Sequence, residues 1–85
     1  MSLADNCGLL LVQGTDAASG TTSSTQLYAF SGSSGGSVNN LNRILSAGSV
    51  EYSDGPTVSV NSSRKIQVYA GGCFAKVILI TANRN

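Results

Sequence analysis

The sequence predicts an all-β fold, a small antiparallel β-sandwich or barrel of about six or seven short strands with long Gly/Ser loops. Three observations lead to this prediction. Several stretches alternate between apolar and polar residues with a period of two, which is typical of half-buried strands. Other stretches are apolar runs of strand length. Clusters of Gly, Ser and Asn separate these stretches and indicate turns.

The first strand is predicted at Cys7–Gln13, a continuous apolar run that is closed by Gly14 and Asp16. The run is too short for a helix of ordinary length. Because side chains alternate along a strand, both faces of this strand are apolar. Leu9 and Leu11 share one face, and Leu10 and Val12 share the other.

Small polar residues fill two segments that we predict to be loops. Residues 14–25 come near the upper length of an unstructured connection, and an irregular edge strand at Thr21–Thr25 stays an alternative. Residues 31–37 consist of Gly and Ser, and Gly is costly to order. We therefore expect a flexible hairpin tip at 31–37.

The second clear strand is Gln26–Phe30, with Tyr28 and Phe30 on one face and Leu27 and Ala29 on the other. Segment 38–47, which follows the predicted hairpin tip, fits two structures. Its apolar spacing permits a short helix or helical turn that would end at Gly48. It also permits a strand at Asn42–Ser46, which we favour because the neighbouring segments are β. The residues that give the helical spacing are Val38, Leu41, Ile44 and Leu45.

Residues 50–82 contain the remaining predicted strands. Val50–Ser53 is predicted to be a short strand, and Ser53–Pro56 a turn, since Asp and Gly suit turns and Pro stops a ladder. Breaks at Ser62–Ser63 and Gly71–Gly72 divide 57–82 into three strands, which we interpret as a meander. The first two strands each have one apolar face, and the last strand has two. The apolar residues are Val58 and Val60, then Ile66, Val68 and Ala70, then Phe74, Ile78 and Ile80 opposite Ala75, Val77 and Leu79.

Length and composition indicate a single β domain over 1–85, with a flexible lead-in at 1–6 and a polar tail at 83–85. A chain of 85 residues buries only about 60–65% of its unfolded surface, so its own core is marginal. Charged residues make up 11% and the net charge is +1, which makes nucleic-acid binding unexpected. No apolar run is long enough for a membrane helix, and no signal pattern follows Met1. We expect a location in a virion or the cytoplasm of the producing cell, or outside it if a signal was removed.

Catalytic and metal-binding groups are sparse. The chain contains no His, which excludes nucleophilic sets built on His. Its four acids are all expected to lie solvated in or beside turns. They are Asp5, Asp16, Glu51 and Asp54. We therefore predict no enzyme activity, no cofactor and no metal. Two cysteines, Cys7 and Cys73, are interpreted as reduced buried thiols, and a disulfide between them stays an alternative.

The strands carry more apolar surface than a small single sandwich can cover, since each of its strands should present a polar face to water. A large exposed apolar patch marks an interface. We therefore predict a homo-oligomer, a dimer or trimer, that belongs to a larger protein assembly. The candidate interface residues are Leu9, Leu11, Leu27, Tyr28, Phe30, Val77 and Leu79.

These features favour a structural or interaction protein, and the specific hypothesis is a viral or phage virion component such as a capsid decoration (cementing) protein. The alternative is a small carbohydrate- or ligand-binding module, similar in kind to a lectin. Its site would be formed by loops 16–25 and 31–40.

Overall fold

The computed structural model describes residues 7–16, 22–33, 37–50 and 55–81, and these residues form an all-β structure. Six strands lie in two antiparallel sheets, which do not close into a barrel. The all-β prediction is confirmed, and the described residues contain no helix. The strands are β1 (Gly8–Asp16), β2 (Ser23–Ser33), β3 (Ser37–Gly48), β4 (Thr57–Val60), β5 (Ile66–Tyr69) and β6 (Cys73–Ile80).

The larger sheet has four strands in the order β3-β2-β1-β6. Strand β1 is central and pairs along nearly its whole length with both neighbours. Its pairs with β2 run from Gly8–Phe30 to Thr15–Ser23. Its pairs with β6 run from Leu9–Ile80 to Asp16–Cys73. This central place accounts for the length of β1, which continues past the predicted end at Gln13.

The smaller sheet is the hairpin of β4 and β5, which pair from Thr57–Tyr69 to Val60–Ile66. The predicted turn between them is confirmed. The side-chain Oδ1 of Asn61 accepts hydrogen bonds from the backbone N–H of Ser63 at 2.9 Å and of Lys65 at 3.1 Å. In such an Asx-type turn the side-chain oxygen takes the place of the backbone carbonyls that would accept these hydrogen bonds between paired strands. Arg64 adopts a φ of 63° there, a left-handed conformation that closes the turn.

The hairpin lies on one face of the four-stranded sheet, which we call the inner face. Here Leu10, Val12, Tyr28, Phe30 and Val38 form the buried core. Four hairpin side chains and Leu41 of β3 pack against this core. The hairpin side chains are Val58, Val60, Ile66 and Val68, as the predicted one-sided apolar pattern requires. The backbone N–H of Val38 also donates to the Arg64 carbonyl at 2.8 Å, which ties the hairpin loop to β3.

The prediction that residues 57–82 form one meander is wrong. Strand β6 does not pair with β5, because it leaves the hairpin and joins β1 in the larger sheet. Gly71 and Gly72 make this departure with φ values of 67° and 86°, which L side chains rarely adopt. A Cβ at Gly71 would also collide with the Gly55 carbonyl oxygen. Alternation predicts strands but not their partners, so the sequence alone pairs β6 with β5, its neighbour along the chain.

Segment 38–47 is strand, so the favoured interpretation is confirmed and the helical one is wrong. Register shifts interrupt the pairing of β3 with β2 between Leu27 and Tyr28 and between Ser31 and Gly32. Each bulge adds one residue to β3 and breaks its period of two. Val38 and Leu41 are three positions apart, yet they stand opposite Gly32 and Phe30 on the same face. The helical spacing in the sequence therefore comes from a bulged strand.

The predicted long loops are also much shorter in the structure. Residues 14–16 belong to β1, and 23–25 and 31–33 belong to β2. Thr and Ser take part in these ladders because a paired strand satisfies their backbone groups whatever the side chain, and Thr favours strands. Val50 is not in a strand. The rest of that predicted short strand, the lead-in 1–6 and the tail 83–85 lie outside the described residues.

Candidate assembly surface

The outer face of the four-stranded sheet, opposite the hairpin, carries a continuous apolar row across all four strands. Leu11 of β1 stands opposite Leu27 of β2 and Ile78 of β6. Leu27 in turn stands opposite Leu45 of β3. Directly opposite residues in antiparallel strands point to the same face. The four side chains therefore form one apolar row perpendicular to the strands.

A second row extends this patch on one side. Leu9 stands opposite Ala29 and Ile80, so three more apolar residues join the outer face. On the other side Gln13 stands opposite Thr25 and Lys76, which gives a polar border. The patch of Leu9, Leu11, Leu27, Ala29, Leu45, Ile78 and Ile80 is called the outer apolar patch below.

The outer apolar patch is accessible at both ends. Leu45 is 50% exposed, and Ile78 and Ile80 are each 52% exposed, while Leu9, Leu11 and Leu27 in the middle are half-buried by one another. Within the described residues, the hairpin is the sole element outside this sheet, and it packs on the opposite face. The patch is thus a sheet face of the kind that usually marks an interaction surface.

The inner face has an open part as well, beside β6. The hairpin covers β1, β2 and part of β3, but it leaves Val77 and Leu79 about half exposed. A groove of about 390 Å³ separates these two side chains from the hairpin. Its other lining residues are Leu10, Phe30, Val38, Lys65, Ile66 and Val68. Strand β6 is therefore exposed on both faces.

The interface residues predicted from the sequence fall into three places. Leu9, Leu11 and Leu27 lie on the outer apolar patch, as a surface role requires. Val77 and Leu79 line the open inner groove. Tyr28 and Phe30 are wrong as surface candidates, because they are 7% and 5% exposed and form the core under the hairpin.

The reason for this error is that β2 is apolar on both faces, and the sequence does not say which face the hairpin covers. Tyr28 and Phe30 point inward, and the Tyr28 hydroxyl donates to Gln26 Oε1, which satisfies its polar end within the core. Sequence reasoning missed Leu45, Ile78 and Ile80 as surface residues. The alternation of β6 already grouped Ile78 with Ile80, whereas the bulge opposite Leu27 hid the placement of Leu45.

Asp16 is the one acid within the described residues, and its predicted exposure is wrong. It ends β1 on the inner side and is 1% exposed. Its backbone N–H donates to the Thr22 carbonyl at 3.0 Å, which holds the two ends of the β1–β2 connection together. The described residues contain no group of three or more His, Cys, Asp or Glu placed to hold a metal ion. Asp5, Glu51 and Asp54 lie outside the described residues.

The two cysteines lie at opposite ends of the β1–β6 ladder and do not form a disulfide within the described structure. Cys7 precedes Gly8, while Cys73 stands opposite Asp16, eight residues along β1 from Gly8. At about 3.3 Å per residue the two are separated by roughly 30 Å, far beyond disulfide reach. Cys7 is exposed, so its predicted burial is wrong, whereas the Cys73 thiol is buried and donates to the Ala70 carbonyl at 2.8 Å.

Parts of the two segments proposed as loops for the ligand-binding alternative are strand in the structure. Of 16–25, residues 16 and 23–25 are strand, and of 31–40, residues 31–33 and 37–40 are strand. Residues 17–21 and 34–36 lie outside the described residues. No observation in the described residues favours a carbohydrate site.

Nowhere in the described segments does a helix occur that is long and apolar enough to cross a membrane. Comparison with known proteins finds no matching family model, no matching curated protein and no matching solved structure.

Proposed function

We propose that this chain is a non-enzymatic structural protein that assembles with copies of itself through the outer apolar patch. The row from Leu45 to Ile78 across all four strands is the observation that supports it. Such a row is favourable in water only when a second apolar surface covers it, because burial stabilises by about 25 cal/mol per Å² of apolar area. A second copy offers that surface by symmetry.

The core of the single subunit supports the same proposal. The buried apolar residues of the described chain are six: Leu10, Val12, Tyr28, Phe30, Val38 and Cys73. In the same part of the chain eight large apolar side chains are exposed. Five of them lie on β6: Phe74, Val77, Ile78, Leu79 and Ile80. A domain of this size rarely stabilises itself with so small a core. Assembly supplies the missing burial.

The test is the mass of the protein in solution across dilution, measured by light scattering and by native mass spectrometry. We expect dimers or trimers that dissociate as the concentration falls. Leu45→Lys places a charge at the exposed end of the outer apolar patch. It should raise the protein concentration at the midpoint of dissociation by at least about tenfold. Tyr69→Lys is the matched control, since Tyr69 is 67% exposed on the outward side of the hairpin.

A monomer at every concentration would contradict the proposal. So would equal effects of Leu45→Lys and Tyr69→Lys on the dissociation midpoint. Circular dichroism of both variants checks that each one keeps its β-sheet content.

The setting that we propose for the assembly is a viral or phage virion, with the chain as a capsid decoration (cementing) protein. Its low charge, its lack of His and its apolar sheet face suit a component that is repeated many times on a shell, and multivalency strengthens weak contacts in that arrangement. Cosedimentation with shell particles from the same source tests this. Binding that Leu45→Lys weakens is expected, whereas no binding to such particles would contradict the virion setting alone.

A further inference from the structure

The two edges of the four-stranded sheet are built differently. Strand β3 forms one edge and contains two bulges, with Arg43 and several Asn along it. Bulges and charges of this kind discourage a second strand from pairing. Strand β6 forms the other edge, pairs with β1 residue by residue without a register shift, and carries one charge, Lys76. Among the residues that the structure describes, that charge is the one protection of this edge.

The backbone groups and apolar side chains at the β6 edge favour another extended strand as the partner. Alternate backbone N–H and C=O groups of an edge strand point away from the sheet, and an extended strand is what satisfies them all at once. Its side chains are apolar toward both faces, and Phe74, Val77, Ile78, Leu79 and Ile80 are 47–68% exposed. Strands apolar on both faces belong in the interior of a sheet. In this subunit β6 has that composition but lies at the edge.

We propose that β6 pairs antiparallel with β6 of a second copy, across a two-fold axis that passes midway between Val77 and its own copy. The pairing rests on the proposed self-association but uses the strand edge rather than the outer apolar patch. It joins two four-stranded sheets into one continuous sheet in which β6 becomes an inner strand.

Symmetry restricts the register of this pair. A two-fold axis between antiparallel strands is perpendicular to the sheet, so each face maps onto itself. Residues that stand opposite each other must share a face, so one residue stands opposite its own copy and the axis passes midway between the two. An axis at Lys76 would place two like charges opposite each other, which is destabilising. An axis at Ile78 would leave Phe74 beyond the end of the paired segment.

The axis at Val77 pairs every residue from Phe74 to Ile80. Phe74 then stands opposite Ile80 of the second copy, and Ala75 opposite Leu79. Lys76 stands opposite Ile78, so its aliphatic stem covers an apolar side chain while its amine reaches water. In this register the strand is complementary to itself, which favours a second copy over an unrelated strand as the partner.

Cysteine cross-linking tests the register in a Cys7→Ser background, which removes the exposed native thiol. Under mild oxidation Val77→Cys should form a symmetric disulfide dimer, because directly opposite Cβ atoms lie about 4.5–5.5 Å apart. Lys76→Cys is the matched control, since its two copies would stand diagonally, about 7–8 Å apart. We expect at least about tenfold faster dimer formation for Val77→Cys. Equal rates, or faster linking through Lys76→Cys, would overturn the proposed axis.

A second measurement separates this pairing from the outer apolar patch. Val77→Lys places two like charges at the axis without touching the outer face, and it should raise the dimer dissociation constant at least about tenfold. Leu45→Lys should leave cross-linking through Val77→Cys unchanged. If Leu45→Lys abolishes all association while Val77→Lys has no effect, the edge pairing is wrong and the outer-patch assembly stands. If Val77→Lys alone disrupts the dimer, the edge pairing holds and the outer patch fails.

Discussion

Pro56 packs so closely on Gly14 that a Cβ at residue 14 would lie 2.7 Å from Pro56 Cγ and 2.8 Å from its Cδ. Gly14 is buried on the inner face of β1, and Pro56 directly precedes β4. Gln26 Nε2 adds a hydrogen bond of 3.5 Å to the Pro56 carbonyl. Together these contacts fix the start of the hairpin on the sheet, at the opposite end of the hairpin from the bond between Val38 and Arg64.

Gly14→Ala should therefore destabilise the fold by about 1–3 kcal/mol, because the added methyl group overlaps a rigid ring. Urea unfolding measures the loss. In a Pro56→Ala background the same substitution should cost less than half as much, since Cγ and Cδ are absent, and a double-mutant cycle gives the coupling. Identical losses in the two backgrounds would mean that the ring is not what excludes a side chain at residue 14.

The two phenylalanines provide a matched test of which face is covered within one subunit. Phe30 is 5% exposed under the hairpin, while Phe74 is 68% exposed on the outer side of β6. Phe30→Ala should cost about 3–5 kcal/mol of unfolding free energy. Phe74→Ala should stay within about 0.5 kcal/mol when measured at concentrations where the chain is dissociated. A comparable loss for both would show that the inner face is not the core.

Asn61→Ala removes the acceptor for two backbone N–H groups in the hairpin loop. We expect a loss of about 1 kcal/mol, typical of a net hydrogen-bond contribution. Asn61→Asp retains the acceptor oxygen and should recover most of this stability in thermal unfolding. If the Ala variant unfolds at the wild-type temperature, the loop does not depend on this side chain.

The thiols should differ in reactivity toward a thiol reagent under native conditions. Cys7 is exposed and should react at once, whereas Cys73 is buried at 8% exposure and should react as the protein unfolds. Thiol titration without reductant should count one rapidly reacting thiol in the native protein and two thiols in the denatured protein. A count of zero in the denatured protein would indicate a disulfide and contradict the separation of the two cysteines along β1.

The strands were predictable from the sequence because alternation and turn residues are local signals. The faces of β4, β5 and β6 follow directly from Val58, Ile66 and Ile78 with a period of two. Pairing is not local, and nothing in Gly71–Gly72 indicates that β6 would pass to the other sheet. The bulges in β3 are invisible for a similar reason, since they are defined by residues of β2 that stand opposite.

Some residues of the candidate surface could be predicted from the sequence, and others could not. A count of two-sided apolar strands indicates that some face stays uncovered, and Leu9, Leu11 and Leu27 lie on that face. Tyr28 and Phe30 were misplaced because the choice between the two faces of β2 depends on where the hairpin packs. Asp16 was misplaced because the sequence after Gly14 resembles a loop, while the ladder with β6 continues to Asp16.

The bulges of β3 also bear on how far such a sheet can grow. Once two β6 strands meet, both outer borders of the joined sheet are β3, whose backbone is bulged opposite Tyr28 and Gly32 of β2 and matches no straight strand. No further strand then adds to the sheet, and growth stops at the dimer. The chain in this way avoids the open-ended fibrils that unprotected apolar edge strands tend to form.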